Sequence, residues 1–230
     1  MHSLGIIIPF LNEEVSLDDV VKSLRKKLIE NKINYKILLV DDGSTDQSSV
    51  IAQNLYYLDP NIILIRNPTP LNIGNAYKEG LKTLNTQFIC WLPSDGEIPP
   101  ETIIKCYNST LDNDKPSISY PINGKAVRPF FRYFLSKIFQ GSCRKMFDID
   151  IIYFNAIGVY PLSMLQGLNL ISEGFTINLE IIVKFKEKFQ VNFNQIPFAL
   201  EPRNGGKEKA LKMKNIYNVI KTLIDLRRSI

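Results

Sequence analysis

Histidine is nearly missing from this chain. Its one representative, His2, lies at the extreme N-terminus, which excludes a Ser/His/Asp or Cys/His nucleophilic apparatus and any His-built metal site. Cysteine is scarce as well. Cys90, Cys106 and Cys143 are odd in number and widely spaced, which suits neither a disulfide framework nor a paired-Cys zinc site and matches a reducing, cytoplasmic compartment. The GxGxxG and GxxxxGKS/T loops that cradle the phosphates of dinucleotides and nucleoside triphosphates are also absent. No uncharged apolar run reaches the roughly 18 residues needed to cross a bilayer, and residues 4–11 have neither the basic leader nor the cleavage site of a targeting segment. The expectation is a cytoplasmic protein, with any membrane work done on the inner surface. Acid, base and metal chemistry must come from carboxylates.

The 230 residues are 45% hydrophobic and 22% charged, the balance of a folded chain rather than a disordered one. This length suits one embellished domain over 1–230. The formal charge of +5 points to an anionic partner: a phosphorylated small molecule, a membrane surface or a nucleic acid.

Strand and helix patterns alternate over the first hundred residues. Residues 4–9 (LGIIIP), 35–40 (YKILLV), 61–66 (NIILIR) and 88–92 (FICWL) are continuous apolar runs. Residues 13–29, 47–57 and 73–84 carry the helical patterns between them. Strands this apolar imply an α/β fold with a mostly parallel central sheet covered by helices on both faces. Ligands in such sheets bind beyond the carboxyl ends of the strands.

Three acidic clusters fall at those ends: Asn12, Glu13 and Glu14 after the first strand, Asp41, Asp42 and Asp46 after the second, and Asp95 and Glu97 after the fourth. Each taken alone also reads as helix capping or as favourable charge at a helix N-terminus. Three on one edge describe a site. Carboxylates there repel a diphosphate unless a divalent cation lies between, and Asp95 with Glu97 offers the hard oxygen ligands that Mg²⁺ or Mn²⁺ prefers. Asp41 or Asp42 would accept hydrogen bonds from a nucleobase NH or from ribose hydroxyls.

The stretches IIIPFLNEE, ILLVDDGSTD, NPTPLNIGNAYKEGL and WLPSDGEIPPETI cover most of residues 3–104. They resemble the family 2 glycosyltransferases of the GT-A fold, in particular the branch of polyprenyl-phosphate mannosyl- and glucosyltransferases. The resemblance implies that Pro9, Leu11, Glu13, Asp41 and Asp42 contact the nucleoside of an activated sugar. It makes Asp95 the last acid of the DxD metal motif. The first DxD position is Pro93 here, so the triplet reads Pro93, Ser94, Asp95; metal binding then rests on Asp95 helped by Glu97, and the expected site is weak or phosphate-dependent.

Residues 105–209 form the acceptor-side half by the same resemblance. Residues 108–116 (NSTLDNDKP) read as a loop and 117–121 as a strand. Residues 127–139 (VRPFFRYFLSKIF) read as an aromatic, basic amphipathic helix, which either buries its rings in the core or rests on anionic lipid; Arg128 and Arg132 would hold an acceptor phosphate. Residues 148–165 resemble the strand and turn, with Asn155 and Gly158, that lead to an acceptor pocket. Residues 173–184 match a helix with an internal acid, Glu180, and residues 196–209 an apolar strand ending in Arg203 and followed by Lys207, a basic loop that would close over the diphosphate. Glu180 also reads as a plain i,i+4 partner of Lys184, and Arg203 as a solvated strand-end charge. Residues 210–230 read as a basic amphipathic helix docked on the core.

The expected activity is inverting transfer of a sugar from a nucleotide diphosphate sugar to a lipid-linked or cell-envelope glycan acceptor, with Glu173 or Glu180 as base where the acceptor is a hydroxyl. A nucleic-acid partner is not expected, because no recognisable motif accompanies the basic residues. Pro93 also allows a catalytically weak nucleotide-sugar-binding subunit of an envelope-assembly complex. A nucleotidyltransferase is a third reading, disfavoured by the acidic rather than Gly-rich basic loop after the first strand.

Overall fold

The computed structural model describes residues 2–155, 157–203 and 221–227. In chain order the elements are β1 Ser3–Phe10, α1 Leu17–Glu30, β2 Asn34–Asp41, α2 Ser48–Leu58, β3 Ile62–Arg66, α3 Ile73–Thr83, β4 Phe88–Trp91, α4 Pro100–Asn113, β5 Ser117–Pro121, α5 Gly124–Val127, α6 Phe130–Phe147, β6 Gly158–Pro161, α7 Leu162–Gln166, α8 Ile177–Phe189 and β7 Asn194–Phe198.

Seven strands form one sheet in the order β3-β2-β1-β4-β6-β5-β7. β3, β2, β1 and β4 are mutually parallel, β6 is antiparallel to both its neighbours, and β7 is parallel to β5. The mostly parallel α/β sheet expected from the apolar runs is the one observed. β1 lies between β2 and β4, and Leu4, Ile6, Ile7 and Ile8 are wholly buried; each such side chain contributes roughly 2 kcal/mol by leaving water. The order reverses at β1, so the crevice beyond β1 and β4 is the topological switch point at which ligands of doubly wound sheets bind.

Several elements differ from expectation for local reasons. Residues 108–113 are not loop but the last turns of α4, which Asp114 ends in the left-handed conformation. Their polar side chains face outward, apart from Thr110, whose hydroxyl donates to the Cys106 carbonyl. The aromatic helix starts at Phe130 because Pro129 precedes it, and it continues to Phe147. Residues 148–165 supply only a short strand, β6, before α7, and β7 ends at Phe198, five residues before Arg203. The first helix pattern opens with a turn, Ser16 N–H to the Glu13 carbonyl, so that α1 begins at Leu17.

Most of the 210–230 helix lies outside the described residues, as does Lys207. Residues 221–227 are helical. They bury Leu223 and Leu226 while leaving Ile224 exposed. Among the described residues, no helix is long and apolar enough to cross a membrane.

Candidate active site

The loops after β1 and β2 are sewn together by side chains. Asn12 N–H donates to Ser44 Oγ at 3.1 Å, and Thr45 N–H donates to Asn12 Oδ1 at 2.8 Å. Glu13 N–H donates to Ser48 Oγ at 2.8 Å and Gln47 N–H to Glu14 Oε2 at 2.9 Å. The loops after β1 and β4 are tied by two serines: Ser16 Oγ donates to the Ser94 carbonyl at 2.7 Å, and Ser94 Oγ to the Pro9 carbonyl at 3.1 Å. All three acidic clusters therefore share one edge, as their strand positions imply.

The two neighbouring aspartates are buried and engaged by their own chain. Asp41 accepts from Ser44 N–H at 2.9 Å and from Ser49 Oγ. Asp42 Oδ1 accepts from Leu71 N–H at 2.7 Å and Asn67 Nδ2 at 3.3 Å, while its Oδ2 accepts from Asn72 N–H at 3.0 Å. Asp42 thus pins residues 67–72 against the strand end. From there α3 leads to the acidic segment near residue 173. Gly74 N–H donates to the Glu173 carbonyl at 2.9 Å. A Cβ at position 74 would lie 2.5 Å from the Ser172 oxygen and the Glu173 carbonyl carbon, so only glycine permits this approach.

Glu180 has no exposed surface. Its Oε1 accepts from Ile171 N–H at 2.8 Å and from Lys184 Nζ at 2.6 Å, and its Oε2 accepts from Ser172 N–H at 2.7 Å. Burial alone would push its carboxyl up, but Lys184 and the two backbone amides together hold it below the ordinary value. A carboxylate so occupied fixes the 171–173 backbone. Glu173, one residue beyond Ser172, is exposed.

After β4 the arrangement differs. Gly96, at φ +76°, turns the chain so that Glu97 N–H donates to Asp95 Oδ1 at 3.1 Å. Arg203 reaches this corner: its Nη2 donates to Glu13 Oε1 at 3.0 Å and its Nη1 lies 4.0 Å from Asp95 Oδ2. Glu97 faces two further guanidiniums, with Oε2 at 3.7 Å from Arg128 and Oε1 at 3.5 Å from Arg132. Arg128 also donates to Tyr153 Oη at 2.9 Å. The structure therefore brings Glu13, Asp95, Glu97, Arg128, Arg132 and Arg203 together. Glu173 and Glu180 belong to the neighbouring α3–α8 corner. A groove of about 610 Å³ beside α3 and α7 shares Asn67 and Leu71 with the Asp42 loop but holds none of these charged groups.

As a cation site, Asp95 and Glu97 supply hard oxygens on one short turn, which suits Mg²⁺ or Mn²⁺. Among the described residues no group of three or more His, Cys, Asp and Glu side chains is arranged to hold a metal. A cation held on this turn would therefore have at most these two carboxylates from it, and phosphate oxygens would have to complete its shell.

Ser16, Ser94, Gly74 and Tyr153 were not singled out by sequence reasoning. Ser94 stood inside the quoted triplet, but nothing in its spacing shows that it ties β4 to β1. Tyr153 meets Arg128 only through the tertiary fold.

Comparison with known proteins gives a consistent result. The family model described as glycosyl transferase family 2 matches residues 5–160. A dolichol-phosphate mannosyltransferase of Pyrococcus furiosus is 28% identical over 98% of this chain and 64% of its own length. A dolichyl-phosphate beta-glucosyltransferase of Trichomonas vaginalis is 28% identical over 58% of this chain and 45% of its own. The chain thus spans less than two thirds of these curated relatives. Glucosyl-3-phosphoglycerate synthase of Mycobacterium tuberculosis, solved with Mn²⁺, UDP-glucose and phosphoglyceric acid, shares the fold at a TM-score of 0.77 and 15% identity, covering 98% of this chain and 80% of that one. The same enzyme with Mg²⁺ and UDP superposes at 0.73 and 14% identity, over 96% and 79%. With the GT-A sheet, the three strand-end clusters and a family match over residues 5–160, the chain belongs to glycosyl transferase family 2.

Proposed function

We propose that this protein transfers a hexosyl group, with inversion, from a nucleotide diphosphate sugar to a phosphate-bearing, lipid-linked acceptor. The observation that carries this reading is the meeting of Arg128 and Arg132 with Glu97 on the turn that also bears Asp95. An anion-binding pair thereby adjoins the strand-end crevice. The relatives whose names include dolichol phosphate support the same class of acceptor.

In this reading the nucleoside lies along Pro9, Leu11 and Glu13, against walls held by Asp41 and Asp42. Asp95 and Glu97 would hold Mg²⁺ or Mn²⁺, which neutralises charge on the diphosphate when bound. Arg203 swings from Glu13 toward the diphosphate and, with Lys207, stabilises the charge that develops as the nucleoside diphosphate leaves. An acceptor phosphate is already ionised and needs no general base; Glu173, the exposed carboxylate at its corner, would serve a hydroxyl acceptor. Glu180 acts by positioning residues 171–173.

The first half of α6 supports membrane contact at the inner surface. Phe130 is 76% exposed, Phe131 65%, Phe134 51% and Ile138 50%. Exposed Lys125 and Lys137 accompany them, a pairing of rings and cations suited to anionic lipid.

The test is nucleoside diphosphate release from UDP-, GDP- and dTDP-sugars, with Mn²⁺, Mg²⁺ or chelator, and with and without a polyprenyl phosphate. Release from one donor that requires the polyprenyl phosphate is the expected result. Selective donor binding without release under any condition would overturn it in favour of the nucleotide-sugar-binding subunit that Pro93 allows.

A further inference from the structure

Glu97 occupies an unusual position between two cationic side chains. Its side chain is 13% exposed, that of Arg128 12% and that of Arg132 20%. In so enclosed a place a carboxylate and a guanidinium usually close to about 2.8 Å in a forked pair. Here the separations are 3.7 and 3.5 Å. The fork of Arg128 is only partly used: Nη1 donates to Tyr153, while Nε is buried with no hydrogen-bond partner. A buried, unpaired donor on a charged group is costly, and a tetrahedral phosphate offers it an oxygen that the planar carboxylate of Glu97 does not supply.

The backbone of Glu97 is held independently of its side chain. Its N–H donates to Asp95 Oδ1 at 3.1 Å, and its carbonyl accepts from Glu201 N–H at 3.0 Å. The backbone position of residue 97 therefore does not depend on which partner its side chain holds. The other carboxylate of this turn, Asp95, lies two residues back, on the side where Arg203 approaches at 4.0 Å.

We propose that Glu97 is an internal stand-in for the acceptor anion. When a phosphate takes Arg128 and Arg132, the Glu97 carboxylate is displaced and joins Asp95 in holding the divalent cation, so the two ligands bind cooperatively. The physical drive is charge. A phosphomonoester brings about −1.5 to −2, and a retained carboxylate in the same enclosed space would leave like charges in contact. Without acceptor, Glu97 neutralises the guanidiniums and the cation site lacks its second carboxylate. The two-carboxylate site of this chain is thus complete only once acceptor is present, which protects the donor from idle hydrolysis. The inference rests on the reading of Arg128 and Arg132 as the acceptor-side pair.

The test uses the full chain. Mn²⁺ binding is followed by loss of the free-ion EPR signal with and without inorganic phosphate, corrected for the Mn²⁺–phosphate complex in buffer, and phosphate binding is followed by calorimetry. Phosphate should tighten Mn²⁺ binding about fivefold or more, and Mn²⁺ should tighten phosphate binding by the same factor, as linkage requires. Glu97→Gln should bind phosphate more tightly than wild type without metal, bind Mn²⁺ more weakly and lose the coupling; Glu97→Ala should behave alike. Equal Mn²⁺ affinity with and without phosphate in the wild-type chain overturns the exchange, even if neither variant folds. Coupling that survives unchanged in a folded Glu97→Gln overturns it too. Phosphate binding that is indifferent to Arg132→Ala instead defeats the acceptor-side reading. Binding that needs Arg132 but ignores Mn²⁺ defeats only the exchange.

Discussion

The turns after β2 and β4 look alike in sequence, each placing acids among Gly and Ser behind an apolar strand, yet their carboxylates do opposite work. Asp41 and Asp42 accept short hydrogen bonds from amides and hydroxyls of residues 44–72. Asp95 and Glu97 meet guanidiniums from residues 128, 132 and 203 at 3.5–4.0 Å. The first pair is bound into the loop it organises; the second faces guanidiniums at separations longer than a close ion pair. An acidic cluster at a strand end is therefore informative about place, while the partners decide whether it is scaffold or chemistry.

The sharpest break of that comparison is Asp95→Ala. Turnover should fall by about 10³-fold, the scale of losing a principal charge-stabilising group, with the thermal midpoint almost unchanged because Asp95 accepts one hydrogen bond of 3.1 Å within its own turn and meets Arg203 only at 4.0 Å. Near-normal nucleoside diphosphate release would remove Asp95 from the chemistry. Asp42→Ala should show the reverse pattern. Three donors lose their acceptor, costing about 3 kcal/mol of stability; an unfolding free energy from denaturant titration lowered by less than about 1 kcal/mol would make Asp42 a free ligand-binding group rather than a strut.

Glu180→Gln extends the scaffold side of the comparison to α8. Leaving Lys184 beside a neutral amide in a closed site should cost about 3 kcal/mol at neutral pH. The folded carboxyl is held below its ordinary value of 4.5, with burial opposing and Lys184 and the amides prevailing. Its contribution is therefore complete above that value and is lost as pH falls through the lower folded one. Wild type and variant should converge in stability on acidification toward pH 3 and below. A gap that stays constant across that range would show that the ionised carboxylate is not what stabilises the corner.

Much of this arrangement was legible in the sequence. The strands β1 to β4 were marked by apolar runs, because buried parallel strands tolerate little else, and the convergence of the three clusters follows from parallel strands ending on one edge. The i,i+4 pairing of Glu180 with Lys184 was one of two readings open from spacing, and it is present at 2.6 Å. The tail of α4 was not legible, since polar residues on a solvent face look like loop. Nor were the Glu97–Arg128–Tyr153 contacts, which join segments dozens of residues apart and leave no local pattern. The triplet Pro93, Ser94, Asp95 led to the expectation of a weak or phosphate-dependent metal site, but what surrounds Glu97 could only come from the fold.

The smallest effect on stability belongs to α6, and it tests whether the exposed rings are surface function rather than misplaced core. The pattern of residues 127–139 allowed either. In the fold, the buried side chains of α6 are Gln140 and Cys143, in its second half, while Phe130 and Phe134 stack on each other at 6.3 Å on the open side. Phe131→Ser and Phe134→Ser together should change folding stability by no more than about 0.5 kcal/mol, as for other exposed positions. Binding to vesicles containing anionic lipid should weaken by about tenfold per ring removed, since the exposed part of each Phe otherwise contributes roughly 1.4 kcal/mol by leaving water. The loss should be larger than for Lys137→Ala at moderate salt, where screening already weakens charge. A chain that sediments equally well with vesicles after both Phe changes would place the lipid contact elsewhere. A large fall in thermal midpoint would mean that these rings are covered in the folded protein, and the α6 face would then join the scaffold side of the comparison instead of the chemical one.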